Sequence, residues 1–293
     1  MSALTHGDVF LKLETLQPTF SFKIRGALNA VLAITEHAER PSALVTASAG
    51  NHGQALAYAA RAAGLPLTVY VPSTAPRNKQ AAIQRMGAAL IACADYDEAE
   101  SRAKQHGASG SAVFISPYSH PDVIAGAGTI AVEMLEQEPE LDTILVPVGG
   151  GGLVSGIAAA VAGSGSAAVV IGVEVKASCP FRESLAAGRV VQIDVGPTIA
   201  DGLSGNLDPE TITFDIVRRL GTRMTIGDDT LLRAAIAGVL VEERLVVEAA
   251  GAAGVAAVLA DAGQMRDRRT AVVLSGANID GDVLASVISP PTR

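Results

Sequence analysis

Short apolar runs along the chain alternate with longer stretches in which apolar residues recur every three or four positions. The runs predict β-strands at Val9–Leu13, Ala43–Thr46, Leu67–Val71, Ala89–Cys93, Val113–Ile115, Ile144–Val148, Val169–Val175 and Ala271–Leu274. The longer stretches predict helices at Ile24–His37, Gly53–Ala63, Asn78–Met86, Asp97–His106 and Pro121–Leu135, and one that begins at Leu153. This alternation favours an α/β fold whose parallel strands are joined by crossover helices.

The composition fits that architecture. Hydrophobic residues make up 49% of the 293 positions, and Ala, Val, Leu and Ile dominate them, as expected for helices packed on buried parallel sheets. The 22 basic and 30 acidic residues give a net charge of −8 without long runs of one sign. We therefore expect no nucleic-acid partner and no binding to an anionic membrane surface.

Targeting and redox signals are also absent from the sequence. The first ten residues contain no apolar signal segment, and no uninterrupted apolar run reaches the roughly 18 residues of a membrane span. Cys93 and Cys179 are too few and too far apart to predict a disulfide framework or a metal knuckle. These features predict a cytoplasmic protein in a reducing compartment.

The first motif with chemical content is Ser21–Ala27. Its Lys23 lies between Phe22 and Ile24 at a predicted helix start. A lysine there is most often a solvated charge, but desolvation and a helix amino terminus both disfavour the ammonium form. The neutral amine that results attacks carbonyl groups.

The second motif, Thr46–Gln54, joins a predicted strand to a predicted helix and contains Ser48, Gly50, Asn51 and His52. Ser and Asn serve as ordinary helix caps. Backbone N–H groups at a helix start also attract carboxylates. The sequence alone leaves both interpretations open.

The third motif is the run Gly149–Gly152 between the strand at Ile144–Val148 and the helix that begins at Leu153. Consecutive glycines cost conformational entropy on folding, so packing alone explains them poorly. A backbone that points several N–H groups at a phosphate explains them better. The run lacks the Lys-Ser/Thr pair of a Walker loop.

The fourth motif, Leu274–Asn278, places Ser275 at the end of the last apolar strand, and by itself it is weak. Together the four motifs resemble the fold type II pyridoxal-phosphate enzymes, and among them the serine/threonine dehydratase and serine racemase family. The resemblance extends from Val9 to about Asp280, and its most specific strings are Ser21–Ala30 and Val146–Ala158.

The resemblance implies a two-domain, tryptophan synthase β-like α/β fold with twisted, mostly parallel sheets flanked by helices. It implies a small substrate-loop domain at residues 43–121, inserted into a large cofactor-binding domain made of residues 1–42 and 122–293. It also implies a homodimer.

The resemblance assigns roles to residues as well. Lys23 is implied to form the Schiff base with pyridoxal 5′-phosphate, and Phe22 to pack near the cofactor ring. The other implied cofactor-binding residues are Asn51 at the ring 3-hydroxyl, Gly149, Gly150, Gly151, Gly152 and Leu153 at the phosphate, Gly202 beside the site, and Ser275 at the pyridine nitrogen. The implied substrate-binding residues are Ser48, Ala49, Gly50, Asn51 and His52.

The chain departs from the family pattern at several places. Phe20 replaces the usual glycine before Ser-Phe-Lys, so a positive φ there would strain the backbone. Ala49 replaces the second serine that serves racemases as an acid/base. Glu174 matches the first acid of a racemase cation site, but Pro180 occupies the position of the second, so we expect no metal among the site residues.

These features predict a lyase that eliminates water from a β-hydroxy L-amino acid such as threonine or serine, after which hydrolysis of the unsaturated amine yields a 2-oxo acid and ammonia. A hydroxyl such as that of Ser275 leaves the pyridine nitrogen largely neutral, which favours prompt loss of a β-leaving group. Three alternatives remain open: an amino-acid racemase, a lyase of hydroxyaspartate, phenylserine or an ectoine-derived amino acid, and a non-catalytic pyridoxal-phosphate-binding protein.

Overall fold

The computed structural model describes residues 1–36 and 40–289. The chain divides into two compact units. The larger unit contains Met1–Phe20 and Gly128–Arg293, and the smaller unit contains Ser21–Ala127.

Helices and strands alternate through most of the described chain. The strands are β1 (Asp8–Leu13), β2 (Leu44–Ala47), β3 (Leu67–Pro72), β4 (Ala89–Cys93), β5 (Val113–Phe114), β6 (Thr143–Pro147), β7 (Val169–Val175), β8 (Arg223–Gly227) and β9 (Arg269–Leu274). The helices are α1 (Ser2–Thr5), α2 (Lys23–Glu36), α3 (Asn51–Ala63), α4 (Arg77–Arg85), α5 (Tyr96–Ala108), α6 (Pro121–Gln137), α7 (Gly152–Ser164), α8 (Pro180–Ala187), α9 (Ile212–Arg219), α10 (Asp229–Glu242), α11 (Ala253–Ala260) and α12 (Gly281–Ile288). Short 3-10 helices lie at Glu14–Leu16, Asp201–Leu203 and Ala262–Met265.

The larger unit is built on a sheet with the strand order β1-β9-β6-β7-β8. Every neighbouring pair in it is parallel. β6 and β9 are buried along almost their whole length, as expected for central strands covered on both faces. The Ala/Val-rich helix α11 packs in the core of this unit with Leu145 and Val272.

The smaller unit has a second parallel sheet, of order β4-β3-β2-β5. Its core joins side chains of α2 and α3 to β2 and β3, with Ile24, Leu44, Leu56 and Val69 among its buried members. The two sheets confirm the predicted α/β class with parallel strands and flanking helices.

The smaller unit, Ser21–Ala127, includes α2 and the start of α6, and the substrate-loop domain expected at residues 43–121 stays a prediction. α2 belongs to the smaller unit because Ile24 and Val31 share a core with α3. The first turns of α6 belong to it because Gly26 packs tightly on Val123: a Cβ at Gly26 would lie 2.6 Å from the Val123 carbonyl oxygen.

The predicted elements up to Val175 match the structure to within a few residues, except that the predicted helix end at His37 lies outside the described residues. Between Val175 and Arg269 the sequence analysis assigned no element, whereas the structure contains α8 to α11 and β8 there. β8 is the edge strand of its sheet, and only its last residue is buried, so its apolar pattern is weak.

Candidate functional site

In the smaller unit, two loops leave the same edge of the sheet. β2 and β5 are parallel neighbours, with Val45 opposite Phe114. Ser48–Gly50 follows β2, and residues 115–120 follow β5. Because parallel strands end at one edge, the two loops meet there, and this is where α/β sheets bind ligands.

Lys23 is the first residue of α2, one position before the predicted helix start. Its partly buried Nζ donates a hydrogen bond to the Pro117 carbonyl oxygen at 2.6 Å. The same Nζ lies 5.1 Å from the centre of the Phe22 ring. Sequence reasoning missed Pro117, although its place just after β5 was a usable signal.

The second motif forms the amino terminus of α3. Gly50 caps this helix without a side-chain hydrogen bond, and Asn51 and His52 occupy its first turn. The turn is tight, because a Cβ at Gly53 would overlap the Ser48 carbonyl oxygen. A helix start without a capping side chain presents its first N–H groups to an anion.

His52 is 2% exposed. Among the described residues, neither ring nitrogen has a hydrogen-bond partner. Burial, aided by the nearby Lys23 cation, lowers the pKa of His52 to about 3, and His120 acts in the same direction. The Ile115 carbonyl, which also accepts a hydrogen bond from the Thr46 hydroxyl at 2.7 Å, offsets part of this shift. The imidazole is therefore neutral at physiological pH.

In the larger unit, the glycine run and Ser275 also share one sheet edge. β6 and β9 are parallel neighbours, with Leu145 opposite Val272. Gly149–Gly152 follows β6, and Ser275 directly follows β9. This places two of the predicted cofactor contacts of this unit beside one another.

Two glycines of the run are required by their surroundings. Gly151 has φ 85°, in the left-handed region, and a Cβ on it would overlap Phe181 Cζ and lie 3.1 Å from Thr213 Cβ. A Cβ on Gly149 would lie 2.8 Å from the Gly202 carbonyl oxygen. At Gly151 only glycine suits both the left-handed conformation and the close packing, and at Gly149 only glycine suits the close packing.

The run leads into α7, for which Gly151 is the cap residue and again gives no side-chain cap. Leu153 is buried in the first turn. Thr213 donates its hydroxyl to the Gly150 carbonyl oxygen at 2.9 Å. With that carbonyl engaged, the loop and the helix start present N–H groups, which is the arrangement that binds phosphate.

The Gly202 carbonyl packs against Gly149 of the glycine loop. The N–H of the same residue donates to Asp201 Oδ1 at 2.9 Å. Its predicted cofactor contact therefore stays a prediction, and the structure adds a packing role.

The segment after Ser275 is anchored by the backbone. The Glu248 N–H donates to the Gly276 carbonyl oxygen at 3.0 Å, and the Ala277 N–H donates to the Phe20 carbonyl oxygen at 2.8 Å. Phe20 has φ 55° and is 57% exposed. The strain expected if a bulky residue had to adopt a positive φ here is therefore present.

Two negative findings apply to residues 1–36 and 40–289. They contain no group of three or more His, Cys, Asp or Glu side chains arranged to hold a metal ion. In the same part of the chain, no helix has both the length and the apolar character needed to cross a bilayer.

The residues of each unit fit the cofactor that the sequence motifs indicate. The smaller unit offers the Lys23 amine. Two of its buried polar side chains, Ser21 and His52, have no hydrogen-bond partner among the described residues. Ser21 lies two positions before Lys23, and the charge of Lys23 affects the pKa of His52. The larger unit offers a glycine loop that a Cβ would block, together with the Ser275 hydroxyl. An amine, a phosphate cradle and a hydroxyl match the aldehyde, phosphate and pyridine nitrogen of pyridoxal 5′-phosphate.

Comparison with known proteins gives the same assignment. A family model described as pyridoxal-phosphate dependent enzyme matches residues 1–276. The chain is similar to an L-threonine ammonia-lyase of Thermotoga maritima, with 38% identity over 99% of this chain and 72% of that protein. It is similar to human serine racemase, with 38% identity over 96% of this chain and 84% of that protein.

Solved structures extend the likeness to three dimensions. The processed form of threonine deaminase isoform 2 from Solanum lycopersicum superimposes with a TM-score of 0.90 and 30% identity, covering 98% of this chain and 84% of that one. Since the family model spans nearly the whole sequence and the residues fit the cofactor, the chain belongs to the family of pyridoxal-phosphate dependent enzymes.

Proposed function

We propose that this enzyme catalyses β-elimination on a β-hydroxy L-amino acid such as threonine or serine. The α-proton and the β-hydroxyl leave as water, and hydrolysis of the unsaturated amine then gives a 2-oxo acid and ammonia. The observation that carries the proposal is the held amine of Lys23, combined with a methyl group at Ala49 where a racemase has a hydroxyl.

Lys23 is the proposed catalytic base. The Pro117 carbonyl accepts a hydrogen bond from its Nζ and so fixes the direction of the amine. When bound, pyridoxal 5′-phosphate supplies the electron sink that makes the α-proton acidic. The Lys23 amine then takes that proton, and positioning of this kind accounts for much of the rate gain of a general base.

The start of α3 is the proposed site of the substrate carboxylate. Ser48, Ala49 and Gly50 lead into it, and the uncapped N–H groups of its first turn give a local positive potential. This local field is needed because the chain as a whole carries a charge of −8. Asn51 is proposed to hydrogen-bond the cofactor ring, and the neutral His52 to contact substrate or orient the loop.

The loop Gly149–Gly152 with Leu153 is the proposed phosphate site, supported by the left-handed Gly151 and the helix start behind it. Ser275 is the proposed partner of the pyridine nitrogen. Its hydroxyl does not carry the negative charge that would keep that nitrogen protonated, which suits loss of a β-leaving group. Phe22 is proposed to pack against the ring, and Gly202 to border the site.

Two finer properties complete the proposal. A cytoplasmic location is supported by Cys93 and Cys179, which are both buried free thiols. A homodimer is supported by exposed apolar side chains in the larger unit, among them Leu4 at 50% and Leu16 at 69%. Light scattering of the purified protein measures the assembly directly.

Racemisation is the second candidate because serine racemases are among the relatives. It requires a proton delivered to the substrate face opposite Lys23, and the Ala49 methyl cannot deliver one. General acid–base assistance is worth about 10²–10⁴-fold in rate, so elimination should dominate. A relative named L-threo-3-hydroxyaspartate ammonia-lyase keeps that substrate open as well.

Product analysis tests the proposal. The enzyme is given L-serine, L-threonine and L-threo-3-hydroxyaspartate, and 2-oxo acid, ammonia and D-amino acid are measured together. We expect equal amounts of 2-oxo acid and ammonia and little D-enantiomer. Ala49→Ser should add racemisation, while the control Ala49→Gly should not. D-amino acid forming faster than 2-oxo acid in the wild type contradicts the proposal.

A further inference from the structure

Glu174 on β7 is a fully buried carboxylate outside the proposed site. Its Oε1 accepts a hydrogen bond from the Phe181 N–H at 2.8 Å, and its Oε2 accepts one from the Arg182 N–H at 2.9 Å. Both donors are backbone groups at the start of α8. One acidic side chain therefore ties a central strand to the amino terminus of a helix.

The identity of these two donors follows from the sequence. α8 begins with Pro180, which has no N–H, so the first N–H groups available are those of the next two residues. The Arg182 guanidinium forms its ion pair with Glu183, at 2.8 Å, and not with Glu174. The carboxylate thus depends on the backbone of α8, and the position of α8 depends on the carboxylate.

The helix held in this way carries the residue that packs on the glycine loop. Phe181 is 0% exposed, and its ring lies where a Cβ of Gly151 would be, with Cε2 2.7 Å from that position. Thr213 closes the same space and bonds the Gly150 carbonyl. A shift at the start of α8 therefore reaches the left-handed turn of the loop directly.

We propose that Glu174 is a positioning residue for cofactor phosphate binding. By fixing the start of α8 it presses the Phe181 ring against Gly151 and holds the loop N–H groups in the orientation that binds phosphate. This inference rests on the proposed role of Gly149–Gly152 as the phosphate site.

The test compares two ligands that differ only in the phosphate. Full-length protein is freed of cofactor, and the Kd of pyridoxal 5′-phosphate and of pyridoxal is measured by absorbance titration at a pH above the Glu174 pKa of about 7, where the side chain is a carboxylate. In Glu174→Gln, the amide NH₂ faces a backbone donor, so one of the two hydrogen bonds is lost. We expect pyridoxal 5′-phosphate to bind about tenfold more weakly, and pyridoxal to bind as in the wild type.

Glu183→Gln is the matched control. It makes the same chemical change nine positions further along, on α8 itself, but the Glu183 side chain is only partly buried and pairs with Arg182. Its Kd values for both ligands should equal those of the wild type.

Phe181→Leu decides the question if Glu174→Gln does not fold. It keeps an apolar side chain in the core but withdraws the ring from Gly151, so it should weaken pyridoxal 5′-phosphate and spare pyridoxal in the same way. Where both single variants fold, the double variant should bind pyridoxal 5′-phosphate no more weakly than the weaker single one, because both changes act through one contact.

The remaining outcomes overturn the inference in distinguishable ways. Equal weakening of both ligands, or additive effects in the double variant, assigns Glu174 a general structural role and leaves the proposed function intact. Unchanged Kd values for both ligands in Glu174→Gln also overturn the inference and leave the proposed function intact. A wild type that binds pyridoxal as tightly as its phosphate removes the phosphate role of Gly149–Gly152, and the inference falls with it.

Discussion

Each unit of the molecule buries an ionisable side chain whose pKa is strongly shifted, His52 in the smaller unit and Glu174 in the larger, and the protein surrounds the two differently. In the smaller unit, His52 has no hydrogen-bond partner among the described residues, and burial lowers its pKa to about 3. In the larger unit, Glu174 accepts two backbone hydrogen bonds, and burial still raises its pKa to about 7. Burial is the first cause of both shifts, and it favours the neutral form of each group.

The difference separates two uses of a buried polar group. His52 lies in the first turn of a helix proposed to bind substrate, and its two ring nitrogens are buried without a hydrogen-bond partner among the described residues. Glu174 is committed to the protein's own backbone and orders the wall of a loop. The imidazole is thus left neutral and unpaired, whereas the carboxyl group is hydrogen-bonded to the backbone of a neighbouring helix.

The first prediction concerns the pH dependence of the stabilisation by the Glu174 carboxyl group. Because the folded protein holds the Glu174 proton up to a pKa of about 7, against a usual value of 4.5, this group's stabilisation is present below pH 4.5 and is lost as the pH rises through 7. Between pH 5 and 7.5 the free energy of unfolding should fall by about 2–3 kcal/mol from this source. Urea unfolding of wild type and Glu174→Gln at both pH values measures the difference.

Arg182 and Glu183 are the charged neighbours that affect this pKa, and they act in opposite directions. Glu183→Gln is therefore a suitable control and should keep most of the pH dependence. Identical pH profiles for wild type and Glu174→Gln would show that Glu174 titrates at its ordinary pKa.

The second prediction concerns the His52 imidazole, whose contribution to the free energy of unfolding changes with pH in the opposite direction. The pKa of His52 falls from 6.5 to about 3 on folding, so its contribution is complete above pH 6.5 and is lost as the pH drops toward 3. Between pH 7.5 and 5 the loss should be about 2 kcal/mol. His52→Gln should remove it, with the change concentrated in hydrogen exchange of α3 peptides.

A His52→Gln protein with the acid sensitivity of the wild type would contradict this assignment. If acidification reduced hydrogen-exchange protection only in peptides of the larger unit, the acid-sensitive group would lie in that unit and not at His52.

The third prediction uses two glycines at opposite ends of α7. Gly151 and Gly165 both have positive φ, at 85° and 73°, but only Gly151 has neighbours within reach of a Cβ. Gly151→Ala should weaken cofactor binding by about tenfold or more, because the methyl group displaces the Phe181 ring. Gly165→Ala should lower stability by about 1 kcal/mol and leave the Kd unchanged. Equal Kd values in the two variants would move the phosphate site elsewhere.

The smallest effect is expected at Phe20. Phe20→Gly should raise the free energy of unfolding by about 0.5–1 kcal/mol, because relief of the left-handed strain exceeds the entropy cost of glycine. Asp267 has a similar φ of 56° and lies in another turn, so Asp267→Gly gives the gain expected from backbone strain alone. A destabilised Phe20→Gly would mean that the exposed ring makes a contact that outweighs the strain.

The sequence predicted the first half of the fold well, because its strands are short apolar runs bounded by glycine, proline or polar residues. The strand Val169–Val175 was predicted to the residue. The helices after it were missed although α10 has a readable cap, in which Asp228 accepts from the Leu231 N–H. Signals of this kind are local, and they were available in the sequence.

Other features depend on tertiary contacts and leave no local pattern. The Lys23–Pro117 hydrogen bond joins residues 94 positions apart, and Phe181 meets Gly151 only after α8 has packed. Glu174 was considered only as a possible cation ligand, and its two backbone donors become visible once β7 and α8 are placed. Sequence motifs located the glycine loop and the lysine, whereas the groups that hold them required the structure.

The most direct test of the account is to identify the lysine that carries the cofactor. Protein loaded with pyridoxal 5′-phosphate is reduced with borohydride, digested and mapped by mass spectrometry, with Lys23→Ala treated in parallel. We expect a cofactor-modified peptide containing Lys23, and neither modification nor turnover in the variant. Modification at Lys12, Lys79, Lys104 or Lys176 instead, or a wild type that gains no absorbance and no label, would contradict this expectation.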